Sequence, residues 1–396
     1  MIYLRIIILR IPDLSLLTNN TKADTIMQNI TVKRNAKPIY DIIFTSEYSC
    51  LDELIKKLNL SGRKVCIVSD SNVAIHFLDE LKALFEKCDI SACITHVFNA
   101  GEENKNTDTI FAIIEDLIKN HFDRNDVLVA LGGGVTGDMT GFAASIYLRG
   151  IKFIQVPTSL LAMVDSSIGG KTGVDFKGYK NMVGAFHMPS AVLINTGNLS
   201  TLPKREYISG FAEIIKHAII ADNYYFKYLM DNYNKAVDLD TDCMKEMIYW
   251  SCRIKQSVVE KDPTEKGIRA HLNFGHTLGH AIEKYMDFKL LHGECISLGL
   301  VCAAYISMKR NMIAEYEYTM IIDLLKKYTL PVSFADIKQY SDKVIDYDEI
   351  AAITKSDKKS DGKKVKFVLI DSIGNAVIDT SVTESEMKEA LRALGE

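Results

Sequence analysis

The second half of the chain gathers residue types that hold metal ions. His276-Thr277-Leu278-Gly279-His280 sets two imidazoles at i and i+4 of a helical pattern, on one face and at a spacing that suits a single cation. Leu291-His292-Gly293-Glu294 places a further histidine at a helix start. Upstream, the pattern from Arg205 carries Glu213 and Lys216 at i and i+3, again on one face. One carboxylate with two or three imidazoles makes a Zn²⁺-type site with open positions, suited to Lewis-acid or hydrolytic work. The H-x-x-x-H spacing also occurs on ordinary surface helices. A metalloprotease would need a glutamate directly after His276, where Thr277 cannot serve as the base. Cations stand nearby in sequence: Arg149, Lys171, Lys180, Lys216, Lys255, Arg269 and Lys358 or Lys359 lie beside glycine turns or candidate ligands. Singly, each reads as a solvated charge. Together they suit a small, highly anionic substrate, arginine supplying forked contacts and lysine point charges.

The first half offers a phosphate cradle. The apolar run Asp126 to Leu131 reads as a buried parallel strand and is followed at once by Gly132-Gly133-Gly134-Val135-Thr136-Gly137-Asp138. A helical pattern, Met139 to Leu148, and a second strand, Ile151 to Val156, complete a βαβ unit closed by Pro157-Thr158-Ser159. Glycines let the backbone approach a diphosphate, and a helix N-terminus favours its charge. Gly132, Gly134 and Gly137 fit G-x-G-x-x-G, but after a late strand, and the acidic residue expected roughly 20 positions on is missing. Asp70, ending the strand Lys64 to Ser69 with Asn72 just behind, is the better partner for ribose hydroxyls; the same residue also reads as the N-cap of a helix Val73 to Cys88. Glu102 and Lys105, in a loop leaving another strand, could touch the same cofactor or simply be solvated. Gly169-Gly170-Lys171-Thr172 ends like a nucleotide phosphate loop, but Asp165 stands where that loop requires glycine.

These residues need elements to position them. From about residue 27 to 197, strands alternate with helices, which predicts a parallel sheet covered on both faces. From 198 onward long helical periods dominate: Arg205 to Leu229, Cys243 to Lys261, His276 to Phe288, Glu294 to Asn311 and Tyr316 to Tyr328. A helical domain follows, with one late hairpin (Val365 to Ile370, Ala376 to Asp379) and a last helix opened by Thr383-x-x-Glu386 and ended at Gly395. Residues 1–26 are expected to be an extension outside the fold, or an artefact of start-site choice. Their apolar stretch, Met1 to Leu17, interrupted by Arg5, Arg10 and Asp13, is too short and too charged to span a bilayer and lacks the basic start and small-residue cleavage site of a signal peptide. A chain of 396 residues, 47% hydrophobic and 25% charged, has room for two cores. Its net charge of -4 gives no reason to expect nucleic acid or an anionic membrane as partner. Eight scattered cysteines without a C-x-x-C pair read as reduced core thiols of a cytoplasmic protein.

Taken in order, the glycine turn, Pro157 to Thr172, Lys180-Asn181-Met182-Val183-Gly184, Ala212-Glu213-Ile214-Ile215-Lys216, Asn273 to His280 and His292-Gly293-Glu294 resemble the 3-dehydroquinate synthase family of the shikimate pathway, from about Ile39 to the C-terminus. The resemblance implies an α/β N-terminal Rossmann-like domain plus an all-α C-terminal metal-binding domain. It further implies a homodimer with an active site in the interdomain cleft, NAD⁺, and one divalent ion, Zn²⁺ or Co²⁺. By that resemblance Glu213, His276 and His292 are the metal ligands. Asp165, Lys171, Asn181, Lys216, Lys255, Arg269, Asn273, His280 and Lys358 surround the substrate, with Arg149 on its phosphate from the other subunit. Asp70, Asn72, Glu102, Lys105, Gly133, Gly134, Asp138, Thr158, Ser159, Lys171 and Lys180 hold NAD⁺.

The implied reaction converts 3-deoxy-D-arabino-heptulosonate 7-phosphate to 3-dehydroquinate and phosphate. Hydride leaves the C5 carbinol, phosphate departs by β-elimination, hydride returns, and the opened ring closes by an intramolecular aldol, with no net redox. A metal- and NAD-dependent polyol or alcohol dehydrogenase of related fold would not need the Arg149, Lys255, Arg269 and Lys358 clamp. Another sugar phosphate cyclase, acting on a substrate without the carboxylate, should alter the Arg269, His280 and Lys358 positions, and this chain does not.

Overall fold

The computed structural model describes residues 29–356 and 366–395. The expected N-terminal extension, Lys358 and Lys359 lie outside them. The described residues divide into two compact units, one ending at Pro203 and the other starting at Lys204.

In chain order the first unit contains β1 (Ile30–Arg34), β2 (Lys37–Phe44), α1 (Leu51–Lys57), β3 (Lys64–Asp70), α2 (Ser71–Glu86), β4 (Ala92–Phe98), α3 (Thr107–Lys119), β5 (Val127–Gly132), α4 (Gly134–Ile146), β6 (Lys152–Pro157), β7 (Lys171–Phe176), β8 (Tyr179–Phe186) and β9 (Ala191–Ile194). Seven strands form one sheet in the order β1-β2-β9-β6-β5-β3-β4. All neighbours are parallel except the β1·β2 pair. Successive side chains of β3 supply both cores, as the pleat requires. Val65 and Ile67 pack with Leu78, Leu81 and Phe85 of α2, whereas Cys66 and Val68 join Ile110, Ile113 and Leu117 of α3. The inner strands β5 and β9, buried along their whole length, are continuous apolar runs because both faces are covered.

The sheet fixes where a ligand can sit. β3 has β4 on one side and β5 on the other. The helices that follow β3 and β5 pack on opposite faces, α2 in one core and α4 in the other. That divergence opens a crevice at the strand C-termini, the usual ligand position of an open α/β sheet. Asp70 and the glycine run stand at its two sides.

The second unit contains α5 (Lys204–Ala221), α6 (Asn223–Val237), α7 (Thr241–Lys261), α8 (His276–Tyr285), α9 (His292–Lys309), α10 (Glu315–Lys327), α11 (Tyr347–Ser356), β10 (Phe367–Ser372), β11 (Asn375–Asp379) and α12 (Glu384–Ala393). The middle of α9 is buried continuously from Gly293 to Ala304, which fits a helix apolar all round.

Two expectations differ from what is observed. The single helix expected over Arg205 to Leu229 is two, because Asp222 leaves helical geometry and caps α6 by accepting the Tyr225 N–H at 2.9 Å. The helix expected from Met139 starts at Gly134, so the glycine run is itself its first turn. The β7–β8 hairpin and α11 were not anticipated. No described helix is long and apolar enough to cross a membrane.

Candidate active site

At the crevice, Asp70 takes the capping role open to it in the sequence. Its Oδ1 caps α2 by accepting from the N–H groups of Asn72 (3.0 Å) and Val73 (3.1 Å). Its Oδ2 accepts the Thr136 hydroxyl from α4 at 3.0 Å, so the carboxylate ties the two sides of the crevice together. Asn72 is exposed just beyond. Gly133 is the N-cap of α4, and the first-turn amides that follow have no partner within the helix. A Cβ at Gly137 would lie 2.7 Å from Gln155 Oε1, so any larger residue there would have to displace the buried Gln155 amide between α4 and β6. Thr158 donates its N–H to the Gly132 carbonyl at 3.0 Å, and Ser159 Oγ accepts the Ala162 N–H at 3.2 Å. The Thr158-Ser159 turn is thereby held against the glycines.

A polar cluster forms beside it. Lys105, only 4% exposed, donates to Asp138 at 2.8 Å and to the Asn181 side-chain oxygen at 2.7 Å. Lys180 pairs with Glu102 at 3.5 Å. Five predicted residues, some expected on the cofactor and one on the substrate, therefore share one network. Burial pulls the Lys105 ammonium down, but Asp138 and Glu102 outweigh it and raise its pKa. Asp138 also moves up, because burial outweighs its lysine. The ammonium, facing two carboxylates, is the more firmly charged of the pair. Asp165 sits in a π-helical turn, Ala162–Ser166, Lys171 is exposed at the start of β7, and Arg149 is exposed at the end of a 3₁₀ turn.

In the second unit, α5, α8 and α9 bring Glu213, His276 and His292 together, with one ligand atom from each within 4.8 Å of the others. Glu213 Oε1 lies 3.6 Å from Nε2 of His276 and 3.6 Å from Nε2 of His292. That oxygen is buried and, among the described residues, has no hydrogen-bond partner. A buried carboxylate oxygen facing two imidazole nitrogens is what a divalent cation would satisfy, so the residues fit the expected ion. Each imidazole is turned by its far nitrogen: His276 Nδ1 approaches the Phe274 carbonyl at 3.1 Å, and His292 Nδ1 lies 3.8 Å from Glu283. Burial would raise the Glu213 carboxyl, yet Lys216, hydrogen-bonded to its other oxygen, and the two histidines hold it well below the usual range. Burial and Lys216 push His276 far down, leaving it neutral and able to ligate. Burial also opposes charge on His292, but Glu213 and Glu283 lift it to about 9, so a cation there takes a proton's place. His280, the other half of the i, i+4 pair, is exposed, its ring 5.1 Å from that of His276.

Lys216, Lys255 and Arg269 are all buried. Arg269 is set by a loop whose organiser is Asp262: that carboxylate accepts from the N–H groups of Lys266 (2.9 Å), Gly267 (2.7 Å) and Arg269 (3.1 Å). Burial would raise Asp262, and the three N–H groups win and lower it. Arg269 donates to the Pro263 carbonyl at 2.8 Å, and Asn273 donates to Glu265 at 3.1 Å. Asp262 and Glu283 are supporting residues that sequence reasoning missed. Asp262-Pro263 followed by Gly267 was a readable turn signal for the first; nothing local marked the second.

Two adjoining family models decide the relationship. The N-terminal 3-dehydroquinate synthase domain matches residues 95–209, and the C-terminal domain matches 210–360. The chain belongs to the 3-dehydroquinate synthase family. A 3-dehydroquinate synthase of Acetivibrio thermocellus is 42% identical, covering 93% of this chain and 99% of that relative. One of Campylobacter concisus is also 42% identical, over 88% and 96%. Among solved structures, a 2-epi-5-epi-valiolone synthase of Streptomyces hygroscopicus with NAD⁺ and Zn²⁺ bound matches with TM-score 0.82 and 26% identity, covering 92% of this chain and 98% of that one. A 2-deoxy-scyllo-inosose synthase with carbaglucose-6-phosphate, NAD⁺ and Co²⁺ gives TM-score 0.82 and 26% identity, over 92% and 100%. The 3-dehydroquinate synthases are thus nearer in sequence than these two cyclases. An iron-containing alcohol dehydrogenase of Corynebacterium glutamicum, at 12% identity and TM-score 0.63, shares the fold alone.

Proposed function

We propose that this chain converts 3-deoxy-D-arabino-heptulosonate 7-phosphate to 3-dehydroquinate and phosphate, using NAD⁺ and one divalent ion, Zn²⁺ or Co²⁺. The observation that carries the metal half is the partnerless oxygen of Glu213 facing His276 and His292. Bound NAD⁺ would supply a hydride acceptor restored within each turnover, and the ion would polarise the hydroxyl being oxidised.

The chain's own residues do the rest. The amides of Gly133, the N-cap of α4, and Gly134, its first residue, receive the dinucleotide's diphosphate, with Asp70, Asn72, Thr158 and Ser159 around its sugars and Asp138, Glu102, Lys105 and Lys180 fixing the far side. Lys171, Asn181, Lys255, Arg269, Asn273 and Lys358 meet the substrate's carboxylate and hydroxyls, with Asp165 and Lys216 beside them. His280, an exposed imidazole, moves protons at the ring hydroxyls. Arg149 takes the phosphate.

Two exposed apolar residues of β8, Met182 and Phe186, and Leu148 beside Arg149 support a homodimer in which Arg149 serves the neighbouring subunit. Eight cysteines, none joined to another in a disulfide among the described residues, support a cytoplasmic location.

The test is substrate choice. Purified protein with NAD⁺ and Zn²⁺ is offered the heptulosonate phosphate, glucose 6-phosphate and sedoheptulose 7-phosphate, and phosphate release is followed. Release from the first alone is expected; release from either other sugar in its place reassigns the chain to another cyclase.

A further inference from the structure

Arg205, Ser209 and Glu213 occupy successive turns along one face of α5, and each meets one of three consecutive residues at the start of α9. Arg205 forks onto Glu294, Nε to Oε1 at 2.7 Å and Nη2 to Oε2 at 2.7 Å. Ser209 Oγ accepts the Gly293 N–H at 3.0 Å. Glu213 Oε1 faces His292 Nε2 at 3.6 Å. Two of these contacts involve no candidate ligand, yet they flank the one that does.

We propose that Arg205, Ser209 and Glu294 are positioning residues for the metal centre, a clamp that holds His292 at its ligating distance from Glu213. This rests on the reading that Glu213, His276 and His292 hold the divalent ion.

His292 is the first residue of α9, where an end would otherwise fray. Glu294 stops this in two ways at once: Oε2 accepts the Leu291 N–H at 2.8 Å, closing the first turn, and both oxygens bind Arg205. Glu294 is nearly fully buried, and the fork from Arg205 satisfies both of its oxygens. The guanidinium is held in turn by the Tyr340 ring, its Cζ 3.7 Å from the ring centroid. A lysine could neither fork onto two oxygens nor stack in that way. The approach of the two helices also demands Gly293, since a Cβ there would stand 1.9 Å from the Ser209 carbonyl oxygen.

The same molecule supplies a matched control. Arg310 forks onto Glu386 at 2.6 and 2.9 Å, and Glu386 also closes the first turn of its own helix, α12, by accepting the Thr383 N–H at 2.7 Å. This is the same device with no metal candidate beside it among the described residues.

The experiment compares Arg205→Lys and Glu294→Gln with Arg310→Lys and Glu386→Gln in the full chain. Proteins stripped of metal are titrated with Zn²⁺ against a chromophoric chelator, the visible spectrum of the Co²⁺ form is recorded, and thermal unfolding is measured on each. Arg205→Lys and Glu294→Gln should weaken Zn²⁺ binding about 10–100-fold and shift the Co²⁺ bands. The two control variants should lose thermal stability to a similar degree while binding Zn²⁺ within about twofold of the parent. Parent-like affinity and spectra in both clamp variants, or equal weakening in the controls, would overturn the clamp. A parent that binds no divalent ion would instead overturn the ligand assignment beneath it.

Discussion

Glu213 carries one oxygen bound to Lys216 and another that has no hydrogen-bond partner and faces two imidazoles. Replacing it by glutamine keeps the shape and removes the charge, so Glu213→Gln should lower Zn²⁺ affinity at least tenfold and activity with it. Metal analysis after dialysis, paired with circular dichroism, checks this; a folded variant retaining stoichiometric Zn²⁺ would contradict it. Lys171 is the opposite case, exposed at a strand start. Lys171→Ala should shift stability by less than about 0.5 kcal/mol while turnover falls steeply, and a rate equal to the parent's would remove it from the site. The three ligand candidates were legible as residue types because carboxylate and imidazole have a narrow chemistry. Which histidines converge was not legible from spacing alone. The obvious pair, His276 and His280, sits on one helix, whereas the Glu213 cluster draws its third member, His292, from another. Glu283 and Asp262 escaped notice because an orienting carboxylate differs from a solvated one only in its neighbours.

Helix and strand assignments succeeded where burial imposes a simple period. β3 and β5 are apolar runs because both faces are covered, and α7 and α10 follow their periodicity to within two residues at either end. Misreadings fell where a single side chain or a glycine overrode the pattern: Asp222 broke one expected helix, and the glycine run hid the first turn of α4. In β7–β8, glycines interrupt the alternation, with Gly173 paired to Gly184, so the hairpin gave no strand signal. Two consequences belong to this scale. Gly293→Ala should separate α9 from α5 and cost about 1–3 kcal/mol, read as a drop in thermal midpoint; an unchanged midpoint would show that the close approach is not required. Glu386 is depressed from 4.5 to about 2, chiefly by its hydrogen bond to Arg310. A depressed carboxyl adds stability that is complete above its unfolded pKa and is lost as pH falls through the folded one. The stability gap between the parent and Glu386→Gln should therefore be full above pH 4.5 and close towards pH 2. A gap independent of pH would disprove the pairing.

For the whole chain, the alternation of strands and helices followed by helices alone was enough to foresee two architectures, because each needs a different period along 396 residues. Assembly was not encoded so openly, since an exposed apolar residue looks like any other until a partner covers it. If β8 lies in a homodimer contact, sedimentation should give twice the 44.4 kDa chain mass, and Met182→Asp with Phe186→Asp should shift it towards monomer; a monomeric parent would refute the arrangement. The central claim is that oxidation of the substrate is temporary. It is tested most directly by following phosphate release and reduced nicotinamide together, with the heptulosonate phosphate in large excess over NAD⁺ and with Zn²⁺ present. Many phosphates released per NAD⁺, with no rise in NADH absorbance, is the predicted result; one NADH accumulated for each sugar consumed, or no phosphate at all, would contradict it.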